Sequence, residues 1–311
     1  MQNEKLRFLQ RVFGHTKLQN NGIELNVRCP KCTPPNRRDK LKMNIRLDKD
    51  LYHCWVCDLK GRNLGRLIKM FDRSAVHEYY DKFSNFRFEK IETVELPVEL
   101  PDDYRLVMEN LWDPEACQIR KYCISRGILD SLIWRYRIGY SSNFKFRRRA
   151  IMPSFDREGK LNYWTARSID SSNDFKYMNA KASKKEIIFN DIDVDWESDY
   201  LFIVEGPLDL VKCYYLNSTS ILGSRLSVDT LLFQEIVRNG MDVILSFDPD
   251  AWKKQATTAD LLCSYGVNVC FANTESGDVG DLNPKDVVNL YNNKVLYNNQ
   301  FGMLKTMIER L

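Results

Sequence analysis

The sequence predicts an α/β protein in three parts: an N-terminal zinc ribbon, a mixed α+β subdomain and a mostly parallel sheet with helices on both faces. Three observations lead to this fold class. Two Cys-x-x-Cys pairs lie within the first 57 residues, short β-like runs fill 145–190, and apolar strands alternate with helical stretches from residue 199. We expect a zinc-binding domain over 1–75, a linker over 76–103, a basic subdomain over 104–198, the parallel sheet over 199–290 and a helical tail over 291–311.

The first part depends on its cysteines. Cys29 and Cys32 form one pair, and Cys54 and Cys57 form the other after 21 intervening residues. Zn²⁺ takes four soft ligands in a tetrahedron, and two such pairs supply them. A redox dithiol is the alternative, but two pairs at this spacing favour zinc. Four thiolates complete the tetrahedron, so we do not expect His53 to be a ligand. A zinc site without an open position is structural, and we therefore expect this part of the chain to recognise a partner rather than to catalyse a reaction.

Charge is distributed unevenly along the chain, although the net charge is only +4. Residues 1–75 hold 17 Lys and Arg against 7 Asp and Glu, and residues 145–185 hold 11 against 4. Residues 199–286 reverse the balance, with 6 against 13. Two basic regions suit a polyanion and the acidic region suits metal cations, whereas a solvated lysine-rich surface is the alternative.

The middle of the chain reads as two helices followed by a hairpin. The pattern predicts helices over 116–125 and 131–137, with Gly127 as a left-handed cap and Asp130 as an N-cap. Residues 156–159, Asp-Arg-Glu-Gly, are typical of a hairpin turn. Before these helices, Pro97 and Pro101 interrupt an acidic stretch that cannot continue a helix, so we interpret it as a semi-extended linker.

From residue 199 the pattern predicts strands over 200–204, 219–222, 242–247 and 267–271, separated by helices over 208–216, 228–239 and 251–265. Carboxylates follow three of these strands. Glu205 follows the first, Asp248 and Asp250 follow the third, and Asp278 and Asp281 follow the fourth. Asp209 lies one turn into the first helix. The carboxyl ends of parallel strands meet at one sheet edge, where converging carboxylates repel unless they bind divalent cations such as Mg²⁺.

No Walker-type glycine-rich loop occurs in the sequence, which excludes an attached ATP-driven helicase motor. No apolar run approaches the length of a membrane span, and the N-terminus lacks a secretory signal. We therefore expect a soluble protein of the cytoplasm, without a membrane partner.

Several of these motifs resemble known families. Glu205-Gly206-Pro207-Leu208-Asp209, Gly223 and Asp248-Pro249-Asp250 are similar to the TOPRIM signature of primases, topoisomerases and some nucleases. The cysteine pairs resemble the zinc-binding domain of bacterial and tailed-phage DNA primases. Two further stretches resemble the RNA polymerase domain of primases: 116–140, with Arg126-Gly127-Ile128, and the basic motif that includes Arg149, Gly159, Arg167 and Lys176-Tyr177-Met178-Asn179.

The resemblance covers residues 25–286 in the order of the family, with three departures. Cys32 stands where the bacterial proteins usually have histidine, which matches the four-cysteine phage form. Trp164-Thr165-Ala166 replaces the glycines expected before Arg167. About 25 residues follow Asp286 in the sequence, and this stretch is shorter than we expect for a helicase-binding domain. A phage-type primase that works with a separate replicative helicase, in the host cytoplasm if phage-encoded, is the better likeness.

The resemblance implies a DNA-dependent RNA polymerase that makes short primers from ribonucleoside triphosphates on single-stranded DNA. It implies a structural zinc and catalytic magnesium, with manganese as a substitute. Glu205, Asp248 and Asp250 are the implied catalytic metal ligands, and Asp209 and Asp281 are further candidates. Asp209 has a second interpretation as a capping residue, and Asp278 and Asp286 are alternatives to Asp281. The nucleotide- or template-binding candidates are Arg149, Arg167, Lys176 and Asn179.

Two other functional classes remain open at this stage. One is a non-catalytic zinc-ribbon protein that binds single-stranded DNA, and the other is a TOPRIM nuclease or topoisomerase. Cleaving topoisomerases need a nucleophilic tyrosine in a separate domain, for which the sequence shows no room after the sheet. A scaffold without catalysis has no physical reason to keep mutually repelling carboxylates.

Overall fold

The structure is a computed structural model that describes residues 2–37, 40–84, 98–274 and 277–297. The chain divides into two compact units. The first comprises Met1–Glu89 with Gln234–Asp242 and Leu261–Asn268, and the second comprises Lys90–Phe233, Val243–Asp260 and Val269–Leu311. The domain limits expected from the sequence remain a proposal, and residues 85–97 of the expected linker lie outside the described part.

The N-terminal part of the first unit is built on a five-stranded antiparallel sheet. Its strands are β1 (Lys17–Gln19), β2 (Glu24–Val27), β3 (Met43–Arg46), β4 (Leu51–Cys54) and β5 (Lys60–Gly61), in that order across the sheet. Three helices accompany it: α1 (Gln2–Phe13), α2 (Leu64–Lys69) and α3 (Ala75–Lys82). Consecutive strands are neighbours throughout, so this sheet is a simple meander.

Alternation along three strands gives this sheet one buried face. Leu25 pairs with Ile45, and Ile45 pairs with Tyr52; all three side chains are buried. A buried carboxylate, Asp50, accepts hydrogen bonds from Lys5 of α1 at 2.6 Å and from the Tyr79 hydroxyl of α3 at 2.8 Å. A buried charge is stable only when paired, so these contacts tie α1 and α3 to the turn before β4.

The second unit begins with an antiparallel sheet and a helical hairpin. Strands β6 (Arg105–Leu106), β7 (Gly139–Tyr140), β8 (Arg149–Phe155), β9 (Leu161–Ser168) and β10 (Tyr177–Asn179) lie in the order β10-β9-β8-β7-β6. Helices α4 (Pro114–Ser125) and α5 (Asp130–Arg135) precede β7. Gly127 between them has φ +70°, which confirms the left-handed cap, and the predicted hairpin joins β8 to β9 through Gly159 at φ +82°.

The third sheet has the order β12-β11-β13-β14-β15. Its strands are β11 (Tyr200–Val204), β12 (Ser218–Ser220), β13 (Asp242–Ser246), β14 (Val269–Phe271) and β15 (Val295–Leu296). The intervening helices are α6 (Pro207–Lys212), α7 (Leu231–Asn239), α8 (Trp252–Ser264) and α9 (Pro284–Asn292). β11 pairs parallel with β12 and β13 pairs parallel with β14, whereas β15 is antiparallel to β14. The predicted fold class is confirmed.

One hydrophobic core joins the antiparallel sheet, the helical hairpin and the third sheet. It contains Ile119 and Cys123 of α4, Ile151 of β8, and Phe202 and Val204 of β11, all essentially inaccessible to solvent. Because this core is continuous, the carboxyl ends of β11 and β13 have fixed positions relative to α4, β9 and β10 within the second unit.

Two local expectations differ from the structure. Asp130 is the first helical residue of α5 rather than its N-cap, which is Leu129, because the Asp130 carboxylate binds Arg120 of α4 at 2.6 and 2.8 Å. A bidentate charged pair outweighs a capping hydrogen bond. The expected C-terminal helical tail is described only to residue 297, where α9 and β15 occupy its first residues, and 298–311 lie outside the described part.

None of the helices in the described part of the chain combines the length and the apolar character that spanning a membrane requires.

Candidate active site and zinc centre

A cavity of about 370 Å³ lies in the second unit at the carboxyl ends of β11 and β13. Four carboxylates line it: Glu205, Asp209, Asp248 and Asp278. The predicted convergence of acids from separate strand ends is therefore present, as expected for ligand sites in open α/β sheets. Its other polar lining residues are Arg126, Thr165, Arg167, Tyr177, Asn179 and Lys184.

The turn after β11 holds two of the acids in place. Gly206 donates its backbone N–H to Oδ2 of Asp209 at 2.9 Å, which fixes this carboxylate over the start of α6. The backbone carbonyl of Glu205 accepts hydrogen bonds from the N–H of Gly223 and the hydroxyl of Ser220, both at 3.0 Å. Gly223 adopts φ +67°, a conformation that glycine enters without strain. A Cβ at Gly206 would lie 2.6 Å from the same oxygen of Asp209, so the close approach of this carboxylate explains the other glycine of the motif.

The four acids are close enough to perturb one another. Burial, followed by the charges of Asp278 and Asp248, raises the pKa of Asp209 to about 7. Burial also raises the pKa of Asp248 to about 6, with contributions from Glu205, Asp278 and Asp250. Carboxylates disfavour ionisation when they are desolvated beside like charges, and a bound cation relieves both effects.

Two oxygen atoms in this cluster lack a hydrogen-bond partner although they are buried: Oε2 of Glu205 and Oδ1 of Asp278. A buried acceptor without a donor is costly, and a hard cation with carboxylate ligands satisfies it. Carboxylate oxygens are the preferred ligands of Mg²⁺ and Mn²⁺, so the chemistry of Glu205, Asp209, Asp248 and Asp278 suits such a cation. Their spacing is wider than that of a closed metal site, because among the described residues only the four paired cysteines bring their ligand atoms within 4.8 Å of one another.

The other acids expected from the sequence lie outside the lining of the cavity. Asp250 is exposed, two residues beyond Asp248, although its charge reaches that carboxylate. The Asp281 side chain is 65% exposed and lies 3.6 Å from the Arg126 guanidinium. Asp286 is exposed and binds the amide of Asn283 at the start of α9. Of the three candidates Asp278, Asp281 and Asp286, only Asp278 lines the cavity.

The four basic and amide candidates divide into two pairs. Arg167 and Asn179 line the cavity, and the Arg167 guanidinium lies 4.6 Å from the ring centre of Tyr177. Lys176 is exposed just before β10. Arg149 is buried, and its guanidinium donates to the backbone carbonyl oxygens of Ala166, Phe175 and Lys176 at 2.8–3.4 Å. The structure does not bring Arg149 or Lys176 into the lining of this cavity.

Sequence reasoning assigned no role in the site to several residues that the structure brings there. Arg126 follows α4 and reaches Asp278 and Asp281 at 4.0 and 3.6 Å. Lys184 donates to the carbonyl oxygen of Leu222 at 2.8 Å, and burial followed by the charge of Lys254 lowers the pKa of Lys184. Arg126 was part of a motif, but only the helical hairpin's position in the fold reveals its contact with the acids.

The four paired cysteines converge in the first unit. All four Sγ atoms lie within 4.8 Å of one another, with Cys29 to Cys57 and Cys32 to Cys54 each at 3.6 Å. Thiolates at the corners of a zinc tetrahedron are separated by about 3.8 Å, which follows from a Zn–S bond near 2.3 Å. The cluster therefore fits one zinc ion, and His53 is bound to Asp58 at 2.8 Å instead.

A groove of about 540 Å³ lies on the sheet beside this cluster. Its lining residues are Asn44, Arg46, Leu51, Tyr52, His53, Asp58, Lys60, Gly61 and Arg62. Trp55, 75% exposed, stacks edge-on against His53 with ring centres 4.3 Å apart. Cationic side chains beside accessible aromatic rings suit phosphates and unstacked bases.

No protein-family model matches the sequence, and no curated protein matches it either. Solved structures do resemble it. The zinc-binding and RNA polymerase domains of the Aquifex aeolicus primase match with a TM-score of 0.52 at 17% identity, over 99% of this chain and 90% of that one. The Escherichia coli primase catalytic core matches with a TM-score of 0.51 at 18% identity, over 66% of this chain and 81% of that one. A DnaG primase catalytic domain bound to single-stranded DNA matches with a TM-score of 0.50 at 20% identity, over 60% of this chain and 75% of that one. The chain has the fold of these primase domains.

Proposed function

We propose that this protein is a DNA primase: an RNA polymerase that synthesises short primers from ribonucleoside triphosphates on single-stranded DNA. The observation that carries the proposal is the cavity in which Glu205, Asp209, Asp248 and Asp278 meet Arg126, Arg167 and Lys184. Acids that hold divalent cations beside bases that contact phosphates are the components of nucleotidyl transfer. The fold shared with primase domains supports the same function.

The acids would hold magnesium, or manganese in its place. Glu205 and Asp278 offer buried oxygens without a donor, and Asp209 and Asp248 complete the set. Asp250 stays a proposed ligand because its charge reaches Asp248. Bound cations would neutralise the triphosphate and lower the pKa of the attacking 3′-hydroxyl.

The cationic residues of the cavity suit the triphosphate. Arg167 is held by the Tyr177 ring and Lys184 by the Leu222 carbonyl, so both side chains are ordered before a ligand arrives. Pre-positioned cations stabilise developing charge without reorganisation during the reaction. Asn179, in the same cavity, offers an amide that can donate to a ribose or a phosphate.

The zinc module, which we define as residues 1–75, would bind template. Its groove is lined by Arg46, Lys60, Arg62 and His53, and the His53 ring contacts the exposed ring of Trp55. A closed four-thiolate site adds rigidity rather than catalysis. Because the zinc site has four cysteines, we propose a phage-type enzyme. We also propose that it supplies primers in the host cytoplasm to forks opened by a separate replicative helicase.

The test is primer synthesis by the full chain with labelled ribonucleotides, Mg²⁺ and a panel of short single-stranded templates. We expect short RNA products whose start depends on the template. Glu205→Gln and Asp248→Asn should abolish product, whereas Asp286→Asn, the same change at an exposed acid outside the cavity, should not. Template binding without product from any template would support the non-catalytic alternative, and template cleavage would support the nuclease.

A further inference from the structure

Lys254, in the first turn of α8, contacts the site from outside the cavity. Its ammonium donates to Oε1 of Glu205 and, at 3.1 Å, to the carbonyl oxygen of Gly223. Both side chains of the ion pair are only 19% exposed. Lys254 is not among the residues that line the cavity, whereas Glu205 is. The lysine therefore occupies one oxygen of a carboxylate whose other oxygen is buried without a hydrogen-bond donor.

The ammonium position is fixed by the backbone as well as by the carboxylate. Gly223, which accepts from Lys254, donates its own N–H to the carbonyl oxygen of Glu205 at 3.0 Å. A closed set of contacts thus joins the main chain of Glu205, the turn at Gly223 and the Lys254 side chain. Such a set holds a side chain in one rotamer because several hydrogen bonds would break if it turned.

Divalent cations differ in how they use carboxylates. Ca²⁺ accepts bidentate carboxylates in a flexible shell of six to eight oxygens, whereas Mg²⁺ requires a near-octahedral shell and takes single oxygens. A glutamate with both oxygens available accommodates either ion. A glutamate with one oxygen occupied by an ammonium offers only the other and thereby disfavours Ca²⁺.

We infer that Lys254 is a positioning residue that restricts Glu205 to one ligand oxygen and so sets the preference of the site for Mg²⁺ over Ca²⁺; this rests on the proposed metal site of the polymerase. Lys254 also places a positive charge beside the acids, which lowers the affinity of the site for every divalent cation. Removal of the lysine then has two separable effects: all divalent cations bind more tightly, and Ca²⁺ gains more than Mg²⁺.

The experiment measures Mn²⁺ binding to the zinc-loaded full chain by electron paramagnetic resonance, with displacement by Mg²⁺ or Ca²⁺ and no nucleotide present. Lys254→Met removes both the charge and the donor. Lys253→Met is the matched control, because it makes the same change at the exposed neighbouring lysine. Lys254→Arg keeps a donor and a charge. Glu205→Gln, alone and combined with Lys254→Met, shows whether the effect passes through this carboxylate.

We expect Lys254→Met to shift the ratio of Ca²⁺ to Mg²⁺ affinity toward Ca²⁺ by roughly threefold or more. Lys253→Met should leave the ratio unchanged, Lys254→Arg should retain the wild-type preference, and Glu205→Gln should cancel the shift. If Lys254→Met does not fold, as judged by circular dichroism, Lys254→Gln replaces it.

Three outcomes would contradict the inference. If Lys254→Met still binds Mn²⁺ and its ratio of Ca²⁺ to Mg²⁺ affinity is unchanged, then Lys254 has only a structural role. The proposed function would not be affected by that result. A shift that persists in the Glu205→Gln background would place its cause elsewhere. Wild-type protein that binds no Mn²⁺, or binds it equally after Glu205→Gln, would overturn the proposed metal site and this inference with it.

Discussion

Arg149 donates through Nη2 to the carbonyl oxygen of Phe175 at 2.8 Å, and this contact joins β8 to the segment that enters β10. Two further carbonyl oxygens, those of Ala166 and Lys176, accept from the same guanidinium at 3.4 Å. Tyr177 and Asn179 of β10 line the cavity. Arg149 therefore affects the cavity by holding this segment in place.

We expect Arg149→Met to lower the free energy of unfolding by about 2–3 kcal/mol, because it removes the charged donor from the carbonyl oxygens of Ala166, Phe175 and Lys176. Arg167→Met should instead cost about 1 kcal/mol, mainly through the lost cation–π contact with Tyr177, and should reduce primer synthesis at least about tenfold. Urea unfolding followed by circular dichroism, beside primer synthesis well below the unfolding midpoint, measures both quantities.

The opposite results would support the role in nucleotide or template binding that the resemblance to primases implies for Arg149. If Arg149→Met unfolds like the wild type but loses triphosphate affinity, then Arg149 contacts phosphate in a rearranged state. If Arg167→Met retains full activity, the phosphate-binding role proposed for Arg167 is wrong.

Among the three consecutive arginines 147–149, the resemblance assigned only Arg149 to nucleotide or template binding, and the sequence alone does not show which way each side chain faces. Strand register decides between them: Arg149 pairs with Ser168 and is buried, whereas Arg148 has φ +57° and binds Asp170 and Gln118. The register depends on the whole β8–β9 pairing, with its irregularity at Ser154 and Phe155. Local patterns predict strands well, but the face on which one residue lies in an irregular sheet needs the tertiary structure.

The paired cysteines should hold one zinc ion per chain. Cys54→Ser should remove it and destabilise the module, because a tetrahedral site with three thiolates binds zinc far more weakly. Cys117→Ser is the matched control, since that thiol donates to the carbonyl oxygen of Leu111 and a hydroxyl can do the same. Elemental analysis of the purified variants measures the zinc. Zinc at wild-type content in Cys54→Ser would contradict the assignment.

The loop after β14 should contribute Asp278 rather than Asp281 to the metal site. Asp278→Asn should lower primer synthesis roughly tenfold or more, because it removes a charge from the cavity. Asp281→Asn should change it by less than about threefold, because its carboxylate is mostly exposed and faces Arg126. Steady-state synthesis over a Mg²⁺ titration measures the effect, and equal losses in the two variants would refute the distinction.

The acids of the cavity show which parts of the site could be predicted from the sequence. Glu205 and Asp248 directly follow apolar strands, so their meeting at one edge follows from parallel topology. Six residues separate β14 from Asp278, and local patterns do not fix the path of such a loop. Gly280 illustrates the difference: it has no recognisable motif, yet it lies against the acids.

Gly280→Ala should damage the site from one added methyl group. The new Cβ would lie 2.6 Å from Oδ1 of Asp209, 3.0 Å from Oδ1 of Asp278 and 3.1 Å from Nη2 of Arg126. Since all three groups belong to one charged cluster, we expect them to shift, at a cost of about 1–3 kcal/mol and with a loss of primer synthesis. Zinc content serves as the control, because the cysteines lie in the other unit. Primer synthesis at the wild-type rate in Gly280→Ala would show that the charged cluster accommodates the methyl group without loss of activity.

Arg62 should contribute to template binding. Arg62→Gln should weaken binding of single-stranded DNA and reduce the slope of log affinity against log salt by about 0.7, the value for one phosphate contact. Lys17→Gln is the matched control, because it removes the same charge at the opposite edge of the same sheet, on β1. Fluorescence anisotropy over a salt series gives both numbers, and identical slopes in the two variants would exclude the groove as the template surface.

The meander of the zinc module has a consequence for how the protein is made. Each of its strands pairs with the next in the chain, so every pairing is available once residue 61 has left the ribosome. The third sheet places β11 between β12 and β13 and needs segments from 200 to 296 before it is complete. Local pairings form faster than distant ones. We therefore expect the chain to bind zinc while it is being translated, before the polymerase domain has folded. A shortage of zinc would then affect the folding of newly made chains before it affects protein that has already folded.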